Sequence, residues 1–227
     1  EVDDVIFLRN NTKKPIKITV PGPFTMSQQA QNEYYPTTEA AAMDYAAAVN
    51  DEIRDLFAAG ANIVQIDEPY MQARPKEARE FGLTALNRAL DGVVGVTAVH
   101  ICFGYAAIIH DRPSGYSFLP ELADCSCHQV SVETAQSKLD CEVLAKLRPK
   151  RILVGCLDLS DMTIEEPETI AERVRRSLHY VAKENVILAP DCGMKYLPQH
   201  IAFGKIKSMV LAAKILRKEF DESRPSG

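Results

Sequence analysis

The chain has 227 residues, 46% hydrophobic and 25% charged, with a net charge of −5. That is ordinary globular composition, long enough for one large α/β domain or two small ones. No apolar run reaches the ~18 residues of a membrane span, and no basic cluster offers a nucleic acid a footing, so neither is expected as a partner.

The acidic start, Glu1-Val2-Asp3-Asp4, resembles no targeting peptide, and the absence of an initial Met leads us to expect the natural start upstream. Six cysteines are too few for a disulfide scaffold at this length. They suit a reducing, cytoplasmic setting, as core residues, metal ligands or nucleophiles.

Strand-like and helix-like segments then alternate. Ile16–Pro21 reads as a strand and Thr38–Ala59 as an Ala-rich helix. Ile63–Ile66 is a strand running into Asp67-Glu68-Pro69, and Lys76–Leu90 a helix. Val94–Cys102 is a strand, Phe118–Ala123 a short helix. Gln129–Val132 is a strand ending at Glu133, followed by a helix over Lys138–Leu147. Arg151–Leu157 is a strand, and Pro167–Lys183 a helix opened by Pro-Glu, a good first-turn pairing. Val186–Ala189 is the last strand, and Gln199–Glu219 the last helix. Short, nearly all-apolar strands between helices indicate a parallel sheet buried on both faces.

No Gly-rich phosphate loop follows any strand. Polar residues instead recur at the C-terminal strand ends: Asp67, His100, Cys102, Glu133, Asp158, Asp191 and Cys192. A (β/α)8 TIM barrel gathers such ends on one face, whereas an open sheet spreads them. The pattern predicts an α/β chain with roughly six of the eight βα units of a barrel. At roughly 30 residues per unit, about 60 residues are expected before Glu1. Residues 1–227 are then one catalytic barrel domain lacking its two N-terminal units.

His100 and Cys102 lie at i and i+2 of a strand, on one face. Imidazole and thiolate together suit zinc, although His-x-Cys alone equally describes a packed strand cysteine. Cys192 follows Pro190-Asp191 and precedes a Gly, where the chain can turn sharply. Glu133 ends its strand, a place where a carboxylate equally serves to cap the next helix or to face water. Together the four offer one nitrogen, two sulfurs and one oxygen, a plausible tetrahedral zinc set. Cys125-Ser126-Cys127-His128 resembles a metal tract, but Cys127 and Glu133 are ~20 Å apart along one strand at ~3.3 Å per residue. It belongs at the opposite end. Cys141 reads as helix and Cys156 as strand core.

Five segments, in order, carry a resemblance: Thr19-Val20-Pro21-Gly22-Pro23-Phe24-Thr25-Met26, Gln65-Ile66-Asp67-Glu68-Pro69, His100-Ile101-Cys102, Val132-Glu133-Thr134 and Pro190-Asp191-Cys192-Gly193. Over nearly its whole length the chain resembles the C-terminal catalytic domain of cobalamin-independent methionine synthases. The resemblance implies a (β/α)8 barrel with zinc held by His100, Cys102, Glu133 and Cys192. It implies methyl transfer to a zinc-bound thiol, homocysteine in the family, with Asp67 holding the acceptor's amino group. Alternation along the strand turns Asp67 toward the mouth and Glu68 the other way. Glu68 is expected to serve substrate binding from behind. A homo-oligomer is compatible with all of this.

Two departures bear on the methyl donor. The family's proton-donating histidine is replaced in Leu157-Asp158-Leu159-Ser160 by Ser160, which leaves Asp158 as the candidate acid. Gln29 stands where folate-using members place a Trp. Folate, a corrinoid protein or another small molecule remain as donors, and Phe24, Tyr34, Phe103 and Tyr105 are candidate pocket or core aromatics.

Three other readings use the same barrel. An epoxyalkane:coenzyme M transferase would need cations for a sulfonate, for which Arg74, Arg112 and Lys195 are candidates. A metal-dependent hydrolase is disfavoured by two thiolates. A non-catalytic zinc-binding barrel would bind zinc without a thiol.

Overall fold

The computed structural model describes residues 1–104 and 115–222; Tyr105 and Arg112 lie outside them. The elements run α1 (Val2–Asn11), β1 (Lys17–Pro21), α2 (Pro23–Gln29), α3 (Thr38–Ala58), β2 (Ile63–Asp67), α4 (Pro69–Ala73), α5 (Pro75–Glu77), α6 (Leu83–Leu90), β3 (Val96–Ile101), β4 (Gln129–Glu133), β5 (Arg151–Gly155), α7 (Pro167–Leu178), β6 (Val186–Ala189) and α8 (Gln199–Glu222). The strands follow one another in the sheet in sequence order, β1 to β6. That is the order of consecutive staves in a (β/α)8 barrel, as the sequence predicts.

The chain divides into two compact units: Glu1–Cys102 with Tyr116–Val130, and Phe103–Gly115 with Ser131–Gly227. In the first, β1, β2 and β3 pair in parallel, with Lys17 level with Ile63, and Asp67 level with both Pro21 and His100. Val64, Ile66, Val99 and Ile101 are buried. The opposite face of this sheet carries Lys17, Gln65, Asp67 and His100. Over the apolar face lies α3, capped by the Thr37 side chain, which accepts from the Ala40 N–H. Its buried Ala42, Ala46, Val49, Ile53 and Leu56 recur at three and four residues, one stripe of a helix.

In the second unit β5 and β6 pair in parallel. Helices α7 and α8 pack on Cys156, Leu157 and Leu159 through Ile170, Ala171, Val174, Ala212 and Leu216.

Some boundaries depart from the sequence pattern. Lys138–Leu147, expected as a helix, is a 3-10 helix over Cys141–Leu147 only. Lys138 sits at φ +48, outside helical space, and Asp140 restarts the chain by accepting from the Glu142 N–H. The helix expected over Pro167–Lys183 stops at Leu178, where Tyr180 and Val181 turn back onto the Ser177 carbonyl. The Lys76–Leu90 helix contains a π-helical turn, Ala78–Gly82. It brings Phe81 against Phe24 at 5.3 Å between ring centres. Helices α1, α2 and α4 were not anticipated; α1 buries only Val5, so no apolar period announces it.

Candidate metal centre

In the first unit the strand ends are level, and hydrogen bonds carry that alignment past the sheet. The Gly22 N–H donates to the Asp67 carbonyl at 2.9 Å, and the Glu68 N–H to the His100 carbonyl at 2.9 Å. His100 is the second-last residue of β3, and Cys102 follows its last, Ile101. Both are buried, and a ring nitrogen of His100 lies within 4.8 Å of the Cys102 sulfur. Asp67, paired in register with His100, has one carboxylate oxygen held by the Gln65 amide at 2.8 Å.

Glu68 faces away from this group, as strand alternation requires. Its buried carboxylate accepts from the Phe24 N–H (3.0 Å), the Thr25 N–H (2.8 Å) and the Thr25 hydroxyl (2.7 Å). It therefore anchors the first turn of α2. A Cβ on Gly22 would collide with that carboxylate, which accounts for the glycine of Gly22-Pro23. Burial drives the Glu68 pKa up to about 7, against those hydrogen bonds and with the help of Asp67's charge.

In the second unit β4 delivers Glu133, fully buried, with one oxygen accepting from the Phe103 N–H at 3.2 Å. Asp191, the neighbour of Cys192, is also fully buried. It accepts from three successive backbone N–H groups after β4: Thr134 (3.2 Å), Ala135 (3.1 Å) and Gln136 (2.7 Å). That clamp ties the segment bearing Cys192 to the turn that follows Glu133. Gly155 lets it close, because a Cβ there would strike both the Asp191 carboxylate and the Val132 carbonyl. Burial pushes Asp191 up to about 7 despite its three amide donors. The sequence pattern singled out Asp191 as a strand-end acid; its clamp spans 55 to 57 residues, which no local spacing encodes.

Asp158 and Ser160 form a tight turn. One Asp158 oxygen accepts from the Ser160 N–H at 2.9 Å and from its hydroxyl at 2.6 Å. The remaining cysteines stand apart. Cys125 and Cys127 are buried before β4, and the His128 ring meets Thr97 at the start of β3. Cys156 is fully buried, and burial raises its thiol to about 12, so it is inert as a nucleophile. Phe24 is core and Phe103 is buried, whereas Tyr34 is exposed.

An imidazole and thiols suit zinc by their chemistry. Hard, oxygen-only cations such as Mg2+ or Ca2+ would not choose two sulfurs.

Residues 2–215 match the model of the cobalamin-independent synthase catalytic domain. A methionine synthase of Sulfurisphaera tokodaii is 33% identical over 220 residues, covering 96% of this chain and 62% of that protein. One from Thermococcus kodakarensis is 33% identical over 211 residues, covering 92% and 60%. The chain thus spans about three fifths of the length of these relatives. The structure of a B12-independent methionine synthase from Shewanella sp. W3-18-1, in complex with selenomethionine, superposes with a TM-score of 0.90. It is 32% identical and is matched over 96% of this chain and 67% of its own. Level strand ends that carry His100 and Cys102, and a second unit that clamps Cys192 beside the Glu133 turn, are thus found in a chain that belongs to the cobalamin-independent synthase family.

Proposed function

We propose that this chain is the catalytic part of a zinc-dependent methyltransferase that methylates the thiol of homocysteine to give methionine. The observation that carries the reading is the buried His100–Cys102 pair, level at its base with Asp67, in a chain of this family. His100, Cys102, Glu133 and Cys192 would hold the metal. His100, Cys102 and Cys192 offer an imidazole nitrogen and two sulfurs, and Glu133 offers a carboxylate.

Zinc would lower the pKa of a coordinated thiol and keep it as thiolate at neutral pH. The protein's own residues do the rest. Asp67 binds and orients the acceptor's ammonium group. Glu68 holds the α2 turn behind it. In the transfer the acceptor sulfur forms a new bond to the methyl carbon, while the bond from methyl to donor breaks and its electron pair stays with the donor. Alignment of the two partners is the main demand on the protein.

The donor follows from Ser160. A methyl on a folate nitrogen leaves poorly without a proton. The Ser160 hydroxyl donates to Asp158 and is far too weak an acid to supply one. The reading therefore assigns an activated donor, a methylcorrinoid protein or a sulfonium, over methyltetrahydrofolate. The test is turnover of the full-length, zinc-loaded protein with homocysteine and each donor separately. We expect methionine from the corrinoid or sulfonium donor. Rapid, unaided turnover with methyltetrahydrofolate would overturn the donor assignment, and Asp158→Asn would then reveal whether Asp158 is the substitute acid. Absence of methionine with every donor, at one bound zinc per chain, would overturn the reaction itself.

A further inference from the structure

The sheet face that leads up to Asp67 carries a partly buried cation that the reaction as described does not use. Lys17, at the start of β1, is level with Ile63, two residues below Gln65 on the same face of the neighbouring strand. Its side chain climbs that one repeat, ~6.6 Å at ~3.3 Å per residue, and its ammonium donates to Gln65 Oε1 at 3.0 Å. Gln65 Nε2 then donates to Asp67 Oδ1 at 2.8 Å. The chain of bonds has one direction. An ammonium only donates and a carboxylate only accepts, so the amide between them must point its oxygen down and its nitrogen up. Reversing it would set amide oxygen against carboxylate and amide nitrogen against ammonium.

A lysine here has an energetic cost. Burial draws its pKa down to about 8, and the charge of Asp67 is what opposes that fall. An apolar side chain would avoid the penalty altogether.

We propose that Lys17 is a positioning residue for the amino group of the acceptor, acting through Gln65 on Asp67. This rests on the reading of Asp67 as the ammonium-binding group. Lys17 locks the Gln65 amide, and the locked amide fixes the Asp67 carboxylate from below. A carboxylate has acceptor capacity for about four hydrogen bonds, so one such bond orients the group without exhausting it. Charge-assisted bonds are about twice as strong as neutral ones, and the charge of Lys17 reaches Asp67 across a single amide. The acceptor class favoured is therefore a thiol that carries a primary ammonium group.

The test uses calorimetry on the full-length, zinc-loaded protein with two thiols: homocysteine, and 4-mercaptobutyrate, which is the same molecule without its amino group. Lys17→Met is expected to weaken homocysteine binding about tenfold and to leave 4-mercaptobutyrate within about twofold. Lys17→Arg should recover most of the loss, since it restores a donor cation. Gln65→Leu, which breaks the relay in the middle, should reproduce the Lys17→Met result and guards against a fault peculiar to one variant. Asp67→Asn should erase the discrimination between the thiols, and adding Lys17→Met to it should change nothing further. Equal weakening of both thiols in Lys17→Met and Gln65→Leu would overturn the proposal, as would no change in either. Full discrimination retained by Asp67→Asn would overturn the reading of Asp67 and the proposal with it. Loss of discrimination in Asp67→Asn but not in the Lys17 and Gln65 variants would overturn the proposal alone.

Discussion

Glu68 carries a fully buried carboxylate, and this has a signature in pH. Its pKa stands at about 7, raised first by burial, while the Thr25 and Phe24 donors pull the other way. An unfolded glutamate titrates near 4.3, so between those values the native state holds a proton that the unfolded chain has released. The folded state is therefore favoured most below the unfolded pKa, and that advantage is lost as pH rises through about 7. We expect stability to fall across this window by at most about 1.4 kcal/mol per pH unit from this residue. Denaturant unfolding at several pH values checks it: Glu68→Gln should show a shallower slope than the parent, whatever its absolute stability. An unchanged slope would assign the titration elsewhere, with Asp191 the next group to test. At this scale the sequence is half legible. The shared face of His100 and Cys102 follows from the two-residue period of a strand, and so does the opposite sense of Asp67 and Glu68. The partners of Glu68 lie 43 and 44 residues away, and those of Asp191 55 to 57. Register decides such contacts, and composition along one strand does not contain it.

Elements were legible wherever burial made the pattern uniform. Val186–Ala189 and the start of the Ala-rich helix at Thr38 stand where the sequence puts them, because apolar runs and a Thr cap leave little choice. Helix ends were less legible, because a cap or a left-handed residue such as Lys138 overrides a run of good helix formers. The segment between β5 and α7 shows what sequence conceals. Lys205 of α8 is fully buried, and its ammonium donates to the Asp158 carbonyl (2.9 Å), the Thr163 carbonyl (2.6 Å) and Glu165 (2.7 Å). Glu165 also accepts from Arg173 at 2.9 Å and from the Asp158 N–H at 2.8 Å. Burial works against the Glu165 charge, but the hydrogen bonds from Lys205 and Arg173 prevail and hold its pKa below the usual value. Lys205 thus joins Glu165 and Arg173 in anchoring the turn that bears Asp158 and Ser160. Lys205→Met leaves two carbonyls and a carboxylate oxygen without that donor. Breaking such a buried pair costs roughly 3–5 kcal/mol, and we expect a loss of that order in denaturant unfolding. A loss under about 1 kcal/mol, the level of an exposed pair, would show that water replaces the amine.

At the scale of the whole molecule, the proposed ligands are not neighbours in sequence: Cys192 lies far along the chain from His100 and Cys102. A metal bound by such distant donors is held by the folded state and hardly at all by the unfolded one, so binding and folding are linked. Free zinc at a hundred times its dissociation constant would add about 2.7 kcal/mol to stability. Removal of the metal should lower the melting temperature by several degrees, since a kilocalorie shifts a domain of 150–250 residues by roughly 2–4 °C. Because thiols and imidazole must lose protons to bind, the stabilisation should also weaken as the pH falls. The ligand variants separate this from any general effect of a chelator. His100→Ala, Cys102→Ser, Glu133→Ala and Cys192→Ser should each blunt the melting shift that zinc produces in the parent protein. Cys125→Ser, Cys127→Ser and Cys156→Ser, which remove thiols assigned to the core, should keep it even where the apoprotein is weakened. A shift that survived loss of Cys192 but vanished with Cys127 would move the metal to the other cysteine tract and remove the proposed ligand set. Equal shifts in all seven variants would show that zinc stabilises this chain through some other site.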